Sequence, residues 1–279
     1  MKVCTTIEEM RAASRAARAG DKRLGFVPTM GALHEGHLSL VRTATANCDI
    51  LAASIFVNPT QFAPTEDLAK YPRNFERDCE LLDKEGVALL FAPSVEEMFP
   101  SGAVTWVTVE GLSDKLDGRS RPGHFRGVTT VVAKLFHVIE PAAALFGQKD
   151  AAQLAIVRKM VRDLNFPIEI ISCPIVREED GLAMSSRNAY LNTEQRAQAR
   201  VLYHTLCRVR QLWISGETAP ENLLAAGRDQ VEKEKSARLD YLEIVDSESL
   251  DPVAKVGKGA LLAIAAIVGS TRLIDNFIL

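Results

Sequence analysis

Residues 24–37 read LGFVPTMGALHEGH and give the clearest indication of the fold. This stretch begins with a short apolar run, which predicts a buried strand over 24–28. It ends at His37, where a helix-period pattern starts and predicts a helix to residue 46. A strand that leads directly into a helix is the first half of a β-α-β unit, the repeating element of parallel sheets.

The same alternation of apolar runs and helix-period segments continues downstream. Strands are predicted at 50–57, 87–91, 143–146 and 168–171, with an edge strand expected at 105–109. Helices are predicted at 75–84, 128–139 and 151–164. Because parallel strands are joined by right-handed crossovers, this rhythm predicts an α/β fold with a Rossmann-like doubly wound parallel sheet.

The pattern changes after Pro174. Two helices are predicted first, over 193–213 and 220–235, with Thr193 as the N-cap of the longer one. Three strands then follow one another, at 241–245, 260–268 and 272–276. Helices followed by successive strands indicate a separate, smaller α+β domain. We therefore expect two domains, residues 1–173 and residues 174–279, with the second acting as a lid.

The composition is that of an ordinary globular protein. Of the 279 residues 47% are hydrophobic and 25% are charged, and 33 Lys+Arg against 36 Asp+Glu give a net charge of −3. This balance excludes a disordered chain and argues against nucleic acid or an anionic membrane surface as a partner. The longest apolar run, residues 260–268, is too short to cross a membrane.

The cysteines are odd in number and form no CxxC pair: Cys4, Cys48, Cys79, Cys173 and Cys207. This usage argues against a disulfide framework and against a structural zinc site. The N-terminus also lacks the continuous apolar segment of a signal peptide. We therefore expect a cytoplasmic protein with reduced thiols.

Two histidines, His34 and His37, flank Gly36 where the first strand passes into a helix. Ligands of doubly wound sheets bind beyond the carboxyl ends of strands, and a helix N-terminus favours phosphate. The imidazoles can donate hydrogen bonds to phosphate oxygens, and the glycines allow close approach. A plain turn with two surface histidines is the alternative. HEGH departs from the HExxH zinc spacing and lacks a third ligand, so no metal site is predicted.

Two further polar segments occupy comparable positions. Residues 147–150 (GQKD) follow a predicted strand, so Lys149 could reach a nucleotide phosphate. Residues 184–187 (MSSR) offer hydroxyl and guanidinium donors to an anion. The alternatives are a surface turn for the first segment and a helix-capping loop for the second.

Neutral amides at Asn58 and Gln61 follow the most apolar strand and could orient a small polar substrate. A simple Asn-Pro turn is the alternative. Residues 121–127 (RPGHFRG) form a Gly/Pro-rich loop, whose first arginine could hold an anionic substrate unless the loop is merely solvated. Asp78 and Glu80 lie on a predicted amphipathic helix and are expected to face solvent.

Together these segments resemble the pantoate–β-alanine ligase family. PTMGALHEGH looks like its HxGH signature, and six further blocks follow in order: FVNPTQF, YPR, SRPGHFRGV, FGQKD, DGLAMSSRN and TRLIDN. Any single block is weak, whereas seven in register over nearly the whole chain are highly specific. HxGH alone would indicate only the wider nucleotidyl-transferase superfamily, which includes some aminoacyl-tRNA synthetases.

The resemblance implies an ATP-dependent condensation of (R)-pantoate with β-alanine, which releases AMP and diphosphate through a pantoyl-adenylate intermediate. It implies Mg²⁺ carried with the ATP, and a homodimer joined through the N-terminal domains. Residues 1–173 would then form a nucleotide- and pantoate-binding domain. No dedicated base for the attack of the β-alanine amine is evident in the sequence.

The resemblance also implies roles for individual residues. His37, His34 and Lys149 would be catalytic, and His37 matches the residue usually assigned as proton donor. The implied ATP contacts are Met30, Gly31, Ala32, Leu33, His34, Glu35, Gly36, His37, Gly147, Gln148, Lys149, Asp150, Val176, Met184, Ser185, Ser186 and Arg187. The expected pantoate contacts are Gln61, Gln153, Asn58 and Arg121, and Gln61 would also lie near β-alanine.

The chain departs from the family pattern at Ala151 and Ala152, where an aromatic residue and Gln usually precede the Gln at 153. Smaller side chains there would loosen one wall of the pocket. Two other functions stay open: a nucleotidyl transferase that acts on another acceptor, and a non-catalytic nucleotide sensor. The acid that supports diphosphate exchange would distinguish the first, and ATP binding without AMP formation would favour the second.

Overall fold

The computed structural model describes residues 1–63, 66 and 68–279, which form two compact units. The first unit comprises Met1–Ser113, Arg121–Gly147 and Ile156–Cys173. The second comprises Asp114–Ser120, Gln148–Ala155 and Pro174–Leu279. The assignment of residues 1–173 and 174–279 to two separate domains, with the second as a lid, stays a prediction.

The first unit is built on a parallel sheet. Its strands in the described residues are β1 (Lys2–Cys4), β2 (Leu24–Thr29), β3 (Ile50–Ile55), β4 (Leu89–Phe91), β5 (Ala143–Gly147) and β6 (Glu169–Cys173). They lie in the order β1-β4-β3-β2-β5-β6 and every pair is parallel. The strand order changes direction between β2 and β5, which is the switch point where such sheets bind ligands. The predicted doubly wound α/β sheet is confirmed.

Helices occur along the whole described chain. They are α1 (Ile7–Ala17), α2 (Glu35–Asn47), α3 (Phe75–Lys84), α4 (Val95–Met98), α5 (Asp117–Ser120), α6 (His124–Ile139), α7 (Ala151–Asp163), α8 (Thr193–Gln198), α9 (Val201–Ile214) and α10 (Pro220–Val231). No helix of the described residues has both the length and the apolar character needed to cross a membrane.

The sheet of the first unit is buried on both faces. Val41 and Ala44 of α2 and Leu82 of α3 pack on one face against strand residues such as Val27 and Leu90. Helices α1 and α6 contact each other, and α6 buries most of its apolar residues. Burial on both faces explains why β3, ILAASI, is a continuous apolar run rather than an alternating one.

The second unit contains an antiparallel sheet of β7 (Ala237–Val245), β8 (Leu261–Val268) and β9 (Thr271–Ile278), in that order. The central strand β8 reads LLAIAAIV and is almost entirely buried. Helices α9 and α10 pack against each other and supply core residues such as Leu206 and Leu223. This arrangement agrees with the predicted smaller α+β region.

The predicted edge strand at 105–109 is wrong. The backbone there pairs with side chains of α6 instead of with a strand. Val107 N donates to Thr130 Oγ1 at 3.0 Å, and Thr129 Oγ1 donates to Val107 O at 2.6 Å. Hydroxyls of a neighbouring helix have taken the hydrogen bonds that a strand partner would supply.

The predicted long helix over 193–213 is two helices, α8 and α9. A tight turn separates them, because Leu202 N bonds to the carbonyl of Ala199 three residues back. The N-cap of α8 is Asn192 rather than Thr193, since Asn192 Oδ1 accepts from Gln195 N at 2.9 Å. Helix α6 also begins at His124, four residues earlier than predicted.

Candidate active site

The loop after β2 follows a backbone path that few residues can adopt. Gly31 has φ +81° and Ala32 has φ +52°, both in the left-handed region. A Cβ on Gly31 would lie 3.0 Å from Asp78 Oδ2 and 3.1 Å from Ile55 Cγ2, so a side chain there would be strained and crowded. Thr29 Oγ1 also accepts from Gly31 N at 3.2 Å. The path from strand to helix is therefore well defined.

Asp78 of α3 holds this loop in place. Its carboxylate accepts hydrogen bonds from the backbone N–H groups of Ala32 (2.7 Å) and Leu33 (2.9 Å), and its side chain is 1% exposed. The expectation that Asp78 faces solvent is wrong, because two main-chain donors compensate its burial. Glu80 is exposed on the same helix, as expected.

We expect Asp78→Asn to lower the free energy of unfolding by ~1–3 kcal/mol. An amide has one acceptor oxygen, so its NH₂ group would face one of the two buried N–H groups and leave that donor unpaired. Urea unfolding measures the effect, and Glu80→Gln is the matched control, expected within about 0.5 kcal/mol of wild type. Equal stability of the two variants would contradict the role assigned to Asp78.

His34 and His37 lie together at the start of α2, with ring centroids 4.2 Å apart. His34 is the N-cap residue, and its Nδ1 accepts from Gly36 N at 3.1 Å. His37 Nδ1 accepts from His34 N at 3.4 Å. A ring nitrogen that accepts carries no proton, so each neutral ring holds its proton on Nε2. Both rings lie at the N-terminus of α2, beside the positive end of its helix dipole.

Asn58 and Gln61 form a buried amide pair after β3. Asn58 is 1% exposed and Gln61 is 9% exposed. Asn58 Nδ2 donates to Gln61 Oε1 at 3.0 Å and to Gly127 O at 3.1 Å. Gln61 Nε2 lies 3.1 Å from Met30 Sδ, which joins this pair to the loop after β2. The structure thus brings together two segments that were predicted separately for the site.

Gly127 allows α6 to approach this amide pair. A Cβ on Gly127 would lie 2.4 Å from Thr60 O and 2.7 Å from Gln61 N, both backbone atoms. Backbone cannot move aside as a flexible side chain can, so any larger residue would push the helix away. The glycine is therefore required by close packing rather than by an unusual backbone angle.

Arg121 is tied to Glu66 in the same region. Its Nε and Nη2 donate to the two carboxylate oxygens at 2.7 and 2.8 Å. Burial alone would raise the pKa of Glu66, but the Arg121 guanidinium holds that pKa below its usual range. His124 Nδ1 lies 2.8 Å from Gln61 O and Nε2 lies 3.0 Å from Arg121 Nη1, so Nδ1 is the donor. The Arg121 guanidinium was predicted to bind an anionic substrate, but its positive charge is neutralised by Glu66.

In the second unit, Lys149 lies in a 3₁₀ helix of one turn, Gln148–Asp150, which follows β5 and leads into α7. Asn276 of β9 donates from Nδ2 to the carbonyl oxygens of Gln148 and Lys149, at 2.9 Å each. Ala151 and Ala152 are buried in the first turn of α7. Gln153 is half-buried in that same turn.

The remaining predicted residues of the second unit meet in a short hairpin and its exit. Met184 N donates to Val176 O at 3.0 Å, so two residues predicted as separate contacts are backbone partners. Ser185 caps the following 3₁₀ helix, Ser186–Tyr190, by accepting from Arg187 N at 3.3 Å. The alternative that this loop caps the helix from Thr193 is wrong, because Asn192 is the N-cap of α8. The anion contacts of this segment stay a prediction.

Several carboxylates near these segments are engaged by the protein itself, among them Glu66, Glu178 and Asp275. Among residues 1–63, 66 and 68–279, no group of three or more His, Cys, Asp or Glu side chains could hold a metal ion. Asp275, for example, is paired with Arg177 at 2.6 and 2.9 Å. Burial raises the pKa of Asp275, and the arginine opposes that rise.

The amino-acid sequence is similar to one family of known proteins over nearly the whole chain. The family model for pantoate–β-alanine ligase matches residues 2–278. The pantothenate synthetase of Koribacter versatilis is 61% identical over 279 residues, covering 100% of this chain and 96% of that protein. The enzyme of Thermotoga petrophila is 54% identical over 279 residues, with 100% of both chains covered.

Solved structures of the same family superpose on this chain. The pantothenate synthetase of Thermus thermophilus superposes with a TM-score of 0.94 at 48% identity, covering 99% of each chain. The Francisella tularensis pantoate–β-alanine ligase, solved in complex with β,γ-ATP and β-alanine, gives a TM-score of 0.82 at 33% identity, with 100% and 97% covered. The chain therefore belongs to the pantoate–β-alanine ligase family.

Proposed function

We propose that this chain condenses (R)-pantoate with β-alanine and splits ATP to AMP and diphosphate through a pantoyl-adenylate. The observation that carries the proposal is the pair of imidazoles, His34 and His37, whose ring centroids lie 4.2 Å apart. They lie at a helix N-terminus that directly follows the central strand β2. Phosphate oxygens accept hydrogen bonds from imidazoles, and the helix dipole favours their negative charge.

The first half-reaction needs positioning and charge neutralisation rather than a base. The pantoate carboxylate is already a nucleophile, and its attack on the α-phosphorus breaks the bond to diphosphate. Negative charge then gathers on the leaving group. His34, His37 and Lys149 are the proposed donors to that charge, and preorganised donors of this kind lower the barrier. His37 is the proposed proton donor.

Two groups of backbone and side-chain contacts are proposed to hold ATP. In the first unit they are Met30, Gly31, Ala32, Leu33, His34, Glu35, Gly36, His37 and Gly147. In the second unit they are Gln148, Lys149, Asp150, Val176, Met184, Ser185, Ser186 and Arg187. The Francisella enzyme was solved with β,γ-ATP, which supports ATP as the nucleotide, and the individual contacts are our proposal.

The amide pair after β3 is proposed to orient pantoate. Gln61 offers its amide beside Met30, and Asn58 fixes its rotation. Gln153 is a further proposed contact. Arg121 is proposed as a hydrogen-bond donor, since Glu66 already neutralises its charge. Amides without charge suit a hydroxy acid whose carboxylate must stay nucleophilic.

In the second half-reaction the β-alanine amine attacks the acyl carbon of the adenylate and releases AMP. Gln61 is proposed to lie near this amine. Glu66 is bound to Arg121 through both carboxylate oxygens, so it is not proposed as the base. We propose that β-alanine reacts as the neutral amine and that its proton passes to water.

Mg²⁺ is proposed to arrive with ATP. Mg²⁺ commonly keeps several waters and binds substrate phosphates through few protein carboxylates. When bound, the ion would neutralise phosphate charge alongside His34, His37 and Lys149.

A homodimer in the cytoplasm is also proposed. In the first unit the extended segment around Val104 and Trp106 exposes apolar side chains, at 82% and 42%. A second copy of the same unit would remove this surface from water. The five cysteines are free thiols, and a reducing compartment keeps thiols in that state. Light scattering of the full chain should give twice its mass.

Diphosphate exchange tests the proposed function. Labelled diphosphate should enter ATP when pantoate is present and β-alanine is absent, because adenylation precedes attack of the amine. An absolute requirement for β-alanine would contradict a separate adenylate step. Exchange supported equally by unrelated carboxylic acids would favour another acceptor, and ATP binding without exchange would favour a sensor.

A further inference from the structure

We infer that Asn276 is a positioning residue for Lys149. Its Nδ2 group donates one hydrogen bond to Gln148 O and one to Lys149 O, both at 2.9 Å. Its Oδ1 accepts from Gln148 Nε2 at 3.1 Å. One side chain therefore fixes two consecutive peptide groups of the turn that carries the lysine.

Side-chain support matters for a turn of this kind. A single 3₁₀ turn has poor hydrogen-bond geometry and little intrinsic stability. Lysine also has a flexible four-carbon stem, so the direction of its Cα–Cβ bond strongly affects where the ammonium can reach. Fixing the carbonyls of Gln148 and Lys149 sets the orientation of the peptide planes on either side of that Cα.

Asn276 is itself rigidly held. It is 2% exposed and lies opposite Ala263 in the β8–β9 ladder. Its backbone N donates to Asp275 Oδ1 at 2.7 Å. Asp275 is in turn bound at both oxygens by Arg177, whose guanidinium lies 4.7 Å from the centre of the Tyr203 ring. The donor to the turn is thus anchored in the sheet of the second unit.

The consequence concerns the reaction rather than only stability. A donor to a developing negative charge is effective only when it is already oriented, and misplacement by about 1 Å can cost ~10²-fold in rate. The inference rests on the role proposed above for Lys149. If Lys149 neutralises the leaving diphosphate, then Asn276 acts through it without contacting the substrate.

The test measures pantoate-dependent diphosphate exchange in the full-length enzyme. Asn276→Ala removes every side-chain contact, and Asn276→Asp keeps the volume and the acceptor for Gln148 Nε2 while losing the paired donors. Both should lower kcat by ~10-fold to 10²-fold and leave the KM for pantoate near wild type. Tyr241→Phe is the matched control, because it removes one buried hydrogen bond, to Asp117, from the same sheet.

A double-mutant cycle separates positioning from stability. On a Lys149→Ala background, Asn276→Asp should cost little further activity, because the group it positions is gone. Full additivity, or wild-type kcat in the folded Asn276 variants, would overturn the inference while leaving the role of Lys149 intact. Wild-type exchange by Lys149→Ala alone would instead overturn both.

Discussion

Replacing His37 with alanine should lower the rate of diphosphate exchange by ~10²–10³-fold, the usual cost of losing one preorganised donor. The stability of the fold should change little. The hydrogen bond that His37 Nδ1 accepts from His34 N is long, at 3.4 Å, so its loss removes little native-state energy. The measurement is exchange with saturating ATP and pantoate, alongside thermal unfolding.

His204→Ala is the control for this prediction. His204 is also helical and is exposed on α9, far along the chain from His34 and His37. Its replacement should leave exchange and unfolding near wild type. Unchanged exchange in His37→Ala would remove His37 from the chemistry, and a loss fully accounted for by unfolding would make its role structural.

Replacing Lys149 with alanine should have a similarly large effect, again ~10²–10³-fold on exchange. Its ammonium is the proposed point charge on the departing diphosphate. The backbone of the turn should persist, because Asn276 bonds to the main-chain carbonyls and not to the lysine side chain. Kinetics over a range of ATP concentrations should show a fall in kcat.

Lys159→Ala is the matched control. Lys159 lies on α7, shortly after the turn, and pairs with Asp163 on the surface. Exposed pairs of this type contribute little, about 0.2–1 kcal/mol. Exchange should therefore stay near wild type. If Lys149→Ala matches this control, the lysine does not contact the reacting phosphates.

The sequence predicted features that depend on neighbouring residues. The strand, turn and helix of residues 24–37 lie together in the chain, so apolar pattern and glycine position were enough to place His34 and His37 at the end of β2. The parallel sheet followed for the same reason. Each β-α-β unit is a local pattern, and right-handed crossovers leave few ways to join them.

Features that depend on distant pairing were missed. Asp78 looked like one acidic residue on an amphipathic helix, because nothing near it in sequence shows that Ala32 and Leu33 supply two donors. Asn276 and the turn at Gln148 are also far apart in the chain. Only a general chemical rule pointed to these contacts: buried backbone N–H and C=O groups need hydrogen-bond partners. That rule shows that partners must exist, but it does not show which distant residues supply them.

The edge strand was also predicted wrongly because its hydrogen-bond partners are distant in the sequence. The alternating pattern at 105–109 is typical of a strand, but pattern alone does not reveal what pairs with its backbone. Thr129 and Thr130 of α6 supply those hydrogen bonds. The break between α8 and α9 likewise depends on packing, since the sequence through Ala199 has ordinary helix formers.

Oxygen transfer tests the adenylate mechanism most directly. Pantoate labelled with ¹⁸O in its carboxylate is incubated with the enzyme, Mg-ATP and β-alanine. Mass spectrometry then measures the ¹⁸O content of AMP and diphosphate. Attack of the carboxylate on the α-phosphorus, followed by cleavage of the acyl–oxygen bond by the amine, places one ¹⁸O in AMP and leaves diphosphate unlabelled. Label in a phosphate or diphosphate product instead of AMP would contradict the account.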